Sequence, residues 1–526
     1  MTAAVLLAVS CQKDGDDKTF IATAEKFNAD GKIEFADNAL NWSSEDTISV
    51  YDAQKSNATY TLNKGEGTGN GEFTYHSGGM INNSPFSVVY PAKIHTEEKQ
   101  INLPAVQHST DGSLKQVPMY ATITADKKNQ KEFYIDFYHL CGVVCFRVSS
   151  SQSVSVSRIA VSTDKNTNGV SSITGSAHSP QLTTPKGTNV TTLACLNAPS
   201  VAQRHDFYMY LPCGTYNKFR ILVTAADGSV YSTVKDSVKV ERGKITSVNL
   251  SNITFKAHKF STSATAKVVF SPGNLQYIGD CPDAYWKFAD RHYDYIGATG
   301  KQNTSAINAS RDLFGWGTSG WVGNGNLYYQ PYHTSYKFDK NIGYGYGPTN
   351  GSSYTLDLTA DYDKADWGYD SIVNGGNESG MWRTLSAANW DTLMNVRKAS
   401  KIGNTANARY AKAKVNNING IILFPDEYTQ PSGATAPNYI NDAQAVFGNN
   451  YTAKAWFLME AAGAVFLPAA GCRTGMSVNY VGTHGLYWSS THYNSGNAYF
   501  LYFASKFLEA NHNDNRNCGF AVRLVR

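Results

Sequence analysis

Gly485-Leu486-Tyr487-Trp488-Ser489-Ser490-Thr491 opens the last stretch of the chain, and Gly519-Phe520-Ala521-Val522-Arg523-Leu524-Val525 closes it. Two strand-like runs, 497–504 and 519–525, flank a polar segment, 511–517, that reads as a hairpin. In the last run Phe520, Val522 and Leu524 alternate with Ala521, Arg523 and Val525, the period of a sheet with one wet face. A strand of this kind in mid-sheet predicts an irregular domain clamped shut from its C-terminal end.

Outward from that clamp, 526 residues exceed what one core can serve, and roughly three domains are expected. Hydrophobic content of 42% against 17% charged residues marks a folded chain. The 33 Tyr and 44 Gly fit exposed β-structure and long polar loops, Tyr offering amphipathic contact area. The net charge of +4 is spread thinly. Its longest basic cluster, Lys127-Lys128-Asn129-Gln130-Lys131, is short and interrupted, so no nucleic-acid footprint is present.

Near the start, Ala3-Ala4-Val5-Leu6-Leu7-Ala8-Val9 is too short to span a bilayer as a helix. It reads as the apolar region of a secretory signal. Leu7-Ala8-Val9-Ser10-Cys11 resembles a bacterial lipobox, which implies that Cys11 is diacylated and anchors the chain to the outer membrane. The charged run Gln12-Lys13-Asp14-Gly15-Asp16-Asp17-Lys18 is similar to the export signal of Bacteroidetes surface lipoproteins. An ordinary cleaved signal is the alternative. Of the 8 cysteines, Cys141 and Cys145 read as core residues, while Cys472 and Cys518 share the final domain, where a bridge can form. No C-x-x-C or H-E-x-x-H spacing of a metal site occurs.

After a signal and tether over 1–19, short alternating runs recur at 32–35, 47–51, 60–62, 86–90, 119–124 and 133–137. Turn-rich stretches at 63–71 and 76–85 separate them, an all-β sandwich pattern over 20–139. A second set, at 143–148, 157–162, 172–175, 206–211, 218–225, 231–234 and 245–250, predicts a second sandwich over 140–255.

Asn41-Trp42, Asp46-Thr47-Ile48-Ser49-Val50-Tyr51, Phe86-Ser87-Val88-Val89-Tyr90-Pro91 and Phe137-Tyr138-His139-Leu140-Cys141-Gly142-Val143-Val144-Cys145-Phe146 follow in order. Ser157-Arg158-Ile159-Ala160-Val161 and Gly243-Lys244-Ile245-Thr246-Ser247-Val248-Asn249-Leu250 complete the series. Together they resemble the fimbrillin (Mfa-like) family over about residues 20–252. The resemblance implies two transthyretin-like sandwiches and pilus subunits joined by strand exchange, a partner's strand completing an open edge or groove. Polymerising members are trimmed after an N-terminal Arg, whereas the first Arg here is Arg147, a departure from stalk-subunit maturation.

A polar connector, 251–266, leads to a different domain over 256–526 that begins in earnest at Lys267-Val268-Val269-Phe270-Ser271-Pro272-Gly273-Asn274. Its clearest helix is capped by Ser386, with Trp390, Leu393, Met394 and Arg397 at i, i+3, i+4 and i+7. A second helix is expected across 454–462, stopped by Gly463, with strands at 420–424, 464–467, 497–504 and 519–525. Trp382-Arg383-Thr384-Leu385, Gly420-Ile421-Ile422-Leu423-Phe424-Pro425, Phe466-Leu467-Pro468-Ala469-Ala470-Gly471, Tyr487-Trp488-Ser489-Ser490-Thr491 and 519–523 resemble a C-type-lectin-like domain. The form is that of the Fibrobacter major paralogous domain and of formylglycine-generating-enzyme-like domains. It implies an α+β fold in which loops, not the sheet, carry recognition.

Chemistry is sparse. The glycine runs 65–71 and 343–347 do not join a strand to a helix, so no phosphate cradle is expected. No G-x-S-x-G nucleophile elbow occurs. His484, His492 and His512 can converge near Cys518, but their spacing fixes no metal geometry. Asp361, Asp363, Asp366 and Asp370 are dense enough to suggest calcium. The Glu-Pro-Asn, Gln-Pro-Asp and Trp-Asn-Asp signatures of calcium-dependent sugar binding are nevertheless absent, and Trp488-Ser489-Ser490 stands in the place of the last, so a solvated loop is the reading. No metal, cofactor or catalytic residue is expected.

The loop 313–336 carries Phe314, Trp316, Trp321, Tyr328, Tyr329, Tyr332 and Tyr336. Exposed rings stack on sugar faces and anchor protein interfaces at small entropic cost. Phe314 and Trp316 are assigned to the core, and Trp321, Tyr328 and Tyr329 to ligand binding. The resemblances imply a surface lipoprotein adhesin, a pilus tip subunit binding a glycan or host protein. The alternatives are a stand-alone binding lipoprotein and an enzyme of the formylglycine-generating type, for which paired reactive cysteines are not evident.

Overall fold

The computed structural model describes residues 18–29, 41–82, 84–124, 130–279, 284–299, 310–320, 357–474 and 477–526. The run 32–35, the glycines 343–347 and Cys11 lie outside them. The chain is multidomain and mostly β. Among the described residues no helix is long and apolar enough to cross a membrane.

The first body departs from the expected sandwich. Thr47–Tyr51, Asn57–Lys64, Asn70–Gly78, Phe86–Tyr90, Met119–Ile123 and Glu132–His139 belong to one sheet, and Thr19–Ala24 closes it into a barrel. That strand pairs parallel with Glu132–His139 on one side and antiparallel with Asn70–Gly78 on the other, so both of its own edges are filled. Alternation drives the closure, because Phe20, Ala22 and Ala24 face inward against Tyr60, Phe73, Phe86 and Phe133. Phe20 stacks on Phe133 at 5.4 Å and meets the edge of Tyr60 at 4.7 Å.

The core of the second body lies between two facing sheets. Cys141–Val148 lies between His205–Pro212 and Lys244–Leu250, and faces the sheet holding Val156–Ser162, Val190–Cys195, Gly214–Ala225 and Val230–Val240. Val144, Phe146 and Val148 enter the core between the sheets, while Cys141, Val143 and Cys145 point to a second cluster with Ile101, Leu103 and Tyr210. The central strand is thus buried on both faces, and Cys141 and Cys145 are core residues as expected. Strands from the first 110 residues complete this region. Val106–Ser109 pairs with Val190–Cys195, Asn28–Ala29 with Lys244–Leu250, and Gln100–Leu103 with Gly169–Ser176.

The third body contains a four-stranded sheet, Asn449–Tyr451, Tyr410–Val415, Ile418–Leu423 and Val465–Pro468, and a meander, His484–His492, Asn497–Ala504 and Phe507–Asn515. Helix α1 (Ala387–Asp391) starts with a reciprocal cap between Ser386 and Asn389, as its sequence foretells. It widens into a π turn over Thr392–Val396, after which Arg397 donates to the carbonyls of Leu393 and Phe424 and pairs with Asp426 at 3.1 Å. Helix α2 (Ala453–Ala461) is capped by Thr452 and stopped at Gly463, whose φ of +91° suits glycine alone. Buried Lys412 ties loop to hairpin, its ammonium lying 2.8 Å from the carbonyls of Ala443, Ala504 and Phe507 and 3.1 Å from that of Ala445.

Residues 519–525 clasp the domain, but not as a strand in mid-sheet. Single bridges join Gly519 to Arg473, Phe520 to Phe314, Ala521 to Tyr487, and Val525 to both Phe270 and Arg383. The partners come from five separate segments, so none runs alongside long enough to form a ladder. Nor is there a wet face, since Ala521, Arg523 and Val525 are all buried. The expected hairpin at 511–517 is mostly edge strand. The turn falls at Ser505 and Lys506, and the polar residues 511–515 are the side chains of Phe507–Asn515.

Helix α2 seats the third body on the second. Ala453 and Phe457 pack against Ala160, Leu222 and Val230 of the sandwich. Beside them Arg158 pairs with Glu460 and donates to the Asp290 carbonyl at 2.6 Å and to Thr224 Oγ1 at 3.1 Å. Arg526 meets Asp227 at 2.6 Å at the rim.

Candidate ligand-binding surface

Trp321, Tyr328 and Tyr329, with Tyr332 and Tyr336, lie outside the described residues. Phe314 and Trp316 are wholly buried core residues, as their neighbours in sequence suggest. Trp286, Trp367, Trp382, Trp390, Trp456 and Trp488 are buried too, so the described tryptophans build the interior of a domain poor in regular structure. Trp316 Nε1 donates to the Ser489 carbonyl at 2.7 Å, Trp488 Nε1 to that of Phe314 at 2.7 Å and Trp382 Nε1 to that of Gly375 at 2.8 Å, whereas Nε1 of Trp367 and of Trp456 is buried without a partner.

In the acidic group, Asp363 is exposed but Asp366 is buried. The Asp366 carboxylate accepts from Gly368 N, Thr384 N and Thr384 Oγ1, holding the segment that carries Trp382. Among the described residues no three His, Cys, Asp or Glu side chains approach one another as metal ligands would. Asp370 differs. Burial, reinforced by the charge of Asp366, pushes its carboxyl up to about 8, and its Oδ2 is sealed without a partner. Between pH 4 and 8 the folded chain therefore keeps a proton that the unfolded chain releases, and stability falls as pH rises through that window. Asp370→Asn is expected to raise the melting temperature at pH 8 and to flatten its decline from pH 5. Melting curves for the variant that parallel those of the parent across this range would refute the assignment.

The three histidines do not converge. His492 pairs with Asp357 at 2.6 Å, His484 meets Thr483 Oγ1 at 2.8 Å, and His512 meets Glu509 at 2.8 Å. Cys472 and Cys518 are free thiols, raised to about 11 and about 12 by burial and by the charge of Asp514.

His484 and His512 instead join a run of aromatic rings along the meander. Tyr480 lies 4.5 Å from His484, which stacks on Tyr502 at 5.7 Å. Tyr502 in turn contacts Phe507 at 4.8 Å and His512 at 5.4 Å. A bulge between Phe500 and Tyr502 shifts the register and sets His512 beside both. Tyr480 is 60% exposed and Phe507 36%, whereas Phe500 is buried against Phe520, so the outer rings rest on rigid inner ones. Burial lowers the His484 imidazole and favours its neutral, ring-like form. Tyr493, 48% exposed, and Tyr499 form a second pair at 5.2 Å. Read from sequence, the spacing of His484 and His512 fixes no metal geometry. Their role as ring partners depends on strand register, and Tyr480 reaches His484 from a separate turn at φ +59°.

A family model described as a domain of unknown function, DUF8237, matches residues 447–525, which include this ring-bearing sheet. No curated protein matches. Among solved structures, a candidate cell adhesion protein from Bacteroides ovatus is similar at 13% identity, over 45% of this chain and 95% of that one, with a TM-score of 0.31. A fimbrial protein from Bacteroides ovatus is similar at 11% identity, over 97% of this chain and 99% of that one, with a TM-score of 0.25. The tip fimbrial protein Mfa3 from Porphyromonas gingivalis, C-terminally truncated, is similar at 10% identity, over 45% of this chain and 96% of that one, with a TM-score of 0.21.

Proposed function

We propose that this chain is a cell-surface adhesin whose C-terminal body binds a glycan or a host surface protein, displayed at a fimbrial tip. The observation that carries this reading is the exposed ring ladder from Tyr480 to Phe507, braced from within and borne on a body seated firmly against a β-rich stem. Rigid aromatic rings give contact area at little entropic cost, as a recognition surface needs. Every described thiol is pushed up, largely by burial, which speaks for binding rather than thiol chemistry of the formylglycine-generating kind. Lipidation at Cys11, with an outer-membrane anchor, belongs to the same proposal.

The test is adhesion of cells displaying the chain to immobilised glycans and matrix proteins. Tyr480→Ala with Phe507→Ala is expected to lower binding about tenfold or more, since exposed aromatic anchors are each worth about 1–2 kcal/mol, with no change in melting temperature. Undiminished adhesion in that double variant would sink the proposal.

A second reading, a binding lipoprotein not assembled into pili, draws support from the closed barrel. Thr19–Ala24 already fills the place a partner's strand would take. Arg147 sits inside Cys141–Val148, paired on both sides, so trimming there would cut the sandwich and not release the first strand. Pull-down of the chain with purified stalk subunits separates the readings, because the unassembled protein leaves them behind.

A further inference from the structure

A cleft of about 280 Å³ opens where the second body meets the third. His108, Lys115, Ala194 and Leu196 line it from one body, and Tyr285 and Lys287 from the other. His108 meets one oxygen of Asp290 at 2.8 Å, and Lys287 meets the other at 2.8 Å. Burial alone would raise the Asp290 carboxyl, but hydrogen bonds and charge from His108 and Lys287 outweigh it and hold the group well below its ordinary range. Both oxygens of this ionised acceptor are thereby engaged.

What remains is a surplus of donors. The Lys115 ammonium is exposed and reaches Thr110 Oγ1 only at 3.4 Å, Lys287 keeps further protons, and Tyr285 offers a phenol on a half-exposed ring. Donors to spare along one cleft, beside apolar residues and an aromatic ring, suit a ligand with a carboxylate and an apolar face. Ligand pockets begin at about 300 Å³, so this cleft has room for one sugar residue rather than a chain.

We propose that the cleft binds a single carboxylate-bearing sugar residue, of the sialic or uronic acid class, at the end of a glycan. The proposal rests on the glycan-binding reading above but uses different residues, so the two can fail separately. The site exists only while the second and third bodies are docked, because its walls come from both.

Titration of the full chain with N-acetylneuraminic acid and with glucuronic acid, followed by saturation-transfer NMR and calorimetry, tests it. Both acids are expected to bind at least about tenfold more tightly than neutral glucose, the difference that a hydrogen bond to a charged group makes. Lys115→Glu should weaken the acids about tenfold or more with melting unchanged, whereas Lys398→Glu, exposed and outside the cleft, should leave binding as it was. Equal binding of glucose, no effect of Lys115→Glu, or no binding of either acid at millimolar concentration would overturn the proposal. So would displacement of the acids by an acidic peptide that binds more tightly than either sugar. Loss of the cleft ligand with ladder-dependent adhesion intact would leave the adhesin reading standing. The reverse outcome would leave the cleft.

Discussion

Lys412→Met is expected to cost the C-terminal body about 3–5 kcal/mol, the range for a buried charge network broken on one side. The side chain is 1% exposed, and its ammonium faces four backbone carbonyls from two segments, the loop at 443–445 and the hairpin turn at 504–507. Met fills the same volume and supplies no donor, so four acceptors turned inward lose the ammonium together, that of Ala445 keeping a backbone donor, Lys506 N at 3.1 Å. Each stranded group carries a penalty of about 1–3 kcal/mol, reduced where water can enter as the loop relaxes. Burial pulls the ammonium down to about 8, which still leaves it largely charged at neutral pH. Denaturant unfolding followed by tryptophan fluorescence measures the loss. A change below about 1 kcal/mol would show that the carbonyls find water easily and that the lysine is a passive filler.

Arg158→Met should destabilise the docked state by a similar amount, about 3–5 kcal/mol, because it abandons Glu460 inside the interface. Replacing both residues, Arg158→Met with Glu460→Met, should recover most of that loss, since a well-packed apolar pair avoids both desolvation terms. His292 gives this prediction a pH signature. Its Nε2 lies 3.6 Å from Glu460, and burial together with the charges of Arg523 and Arg158 keeps it neutral. Without Arg158 one of those charges is gone while burial and Arg523 remain, so the imidazole is held less far below its ordinary range and protonates beside the carboxylate more readily in acid. The single variant is therefore expected to lose less at pH 5 than at pH 8. Calorimetry at the two pH values, with proteolysis of the connector 251–259 as a readout of undocking, checks it. Single and double variants of equal stability would refute the pairing argument.

What the sequence disclosed was what depends on near neighbours. Ser386 and Gly463 mark helix ends because capping acts within one turn, and the short alternating runs mark strands because a pleat repeats every two residues. The seven-strand barrel was hidden. Nothing in Thr19–Ala24 itself says that its partners begin at Asn70 and Glu132. The C-terminal segment misled for a related reason. Its alternation is real, but Arg523 lies buried with Asn274 and His292 as partners, and no local pattern reveals contacts that distant. The ring ladder and the cleft share this property. Tyr502 meets His484 and His512 through strand register, and His108 meets Asp290 across 182 residues.

The strands that the first 110 residues contribute to the sandwich bear on how the stem carries load. Severed between His139 and Leu140, the leading piece would keep Gln100–Leu103 and Val106–Ser109 bare of their neighbours, and the trailing piece would show the matching gaps. Barrel and sandwich are spliced like two lengths of rope and not tied end to end. A tug on the C-terminal body is therefore passed through α2 and these splices into several rows of hydrogen bonds at once, where a simple tether would have strained a single covalent thread.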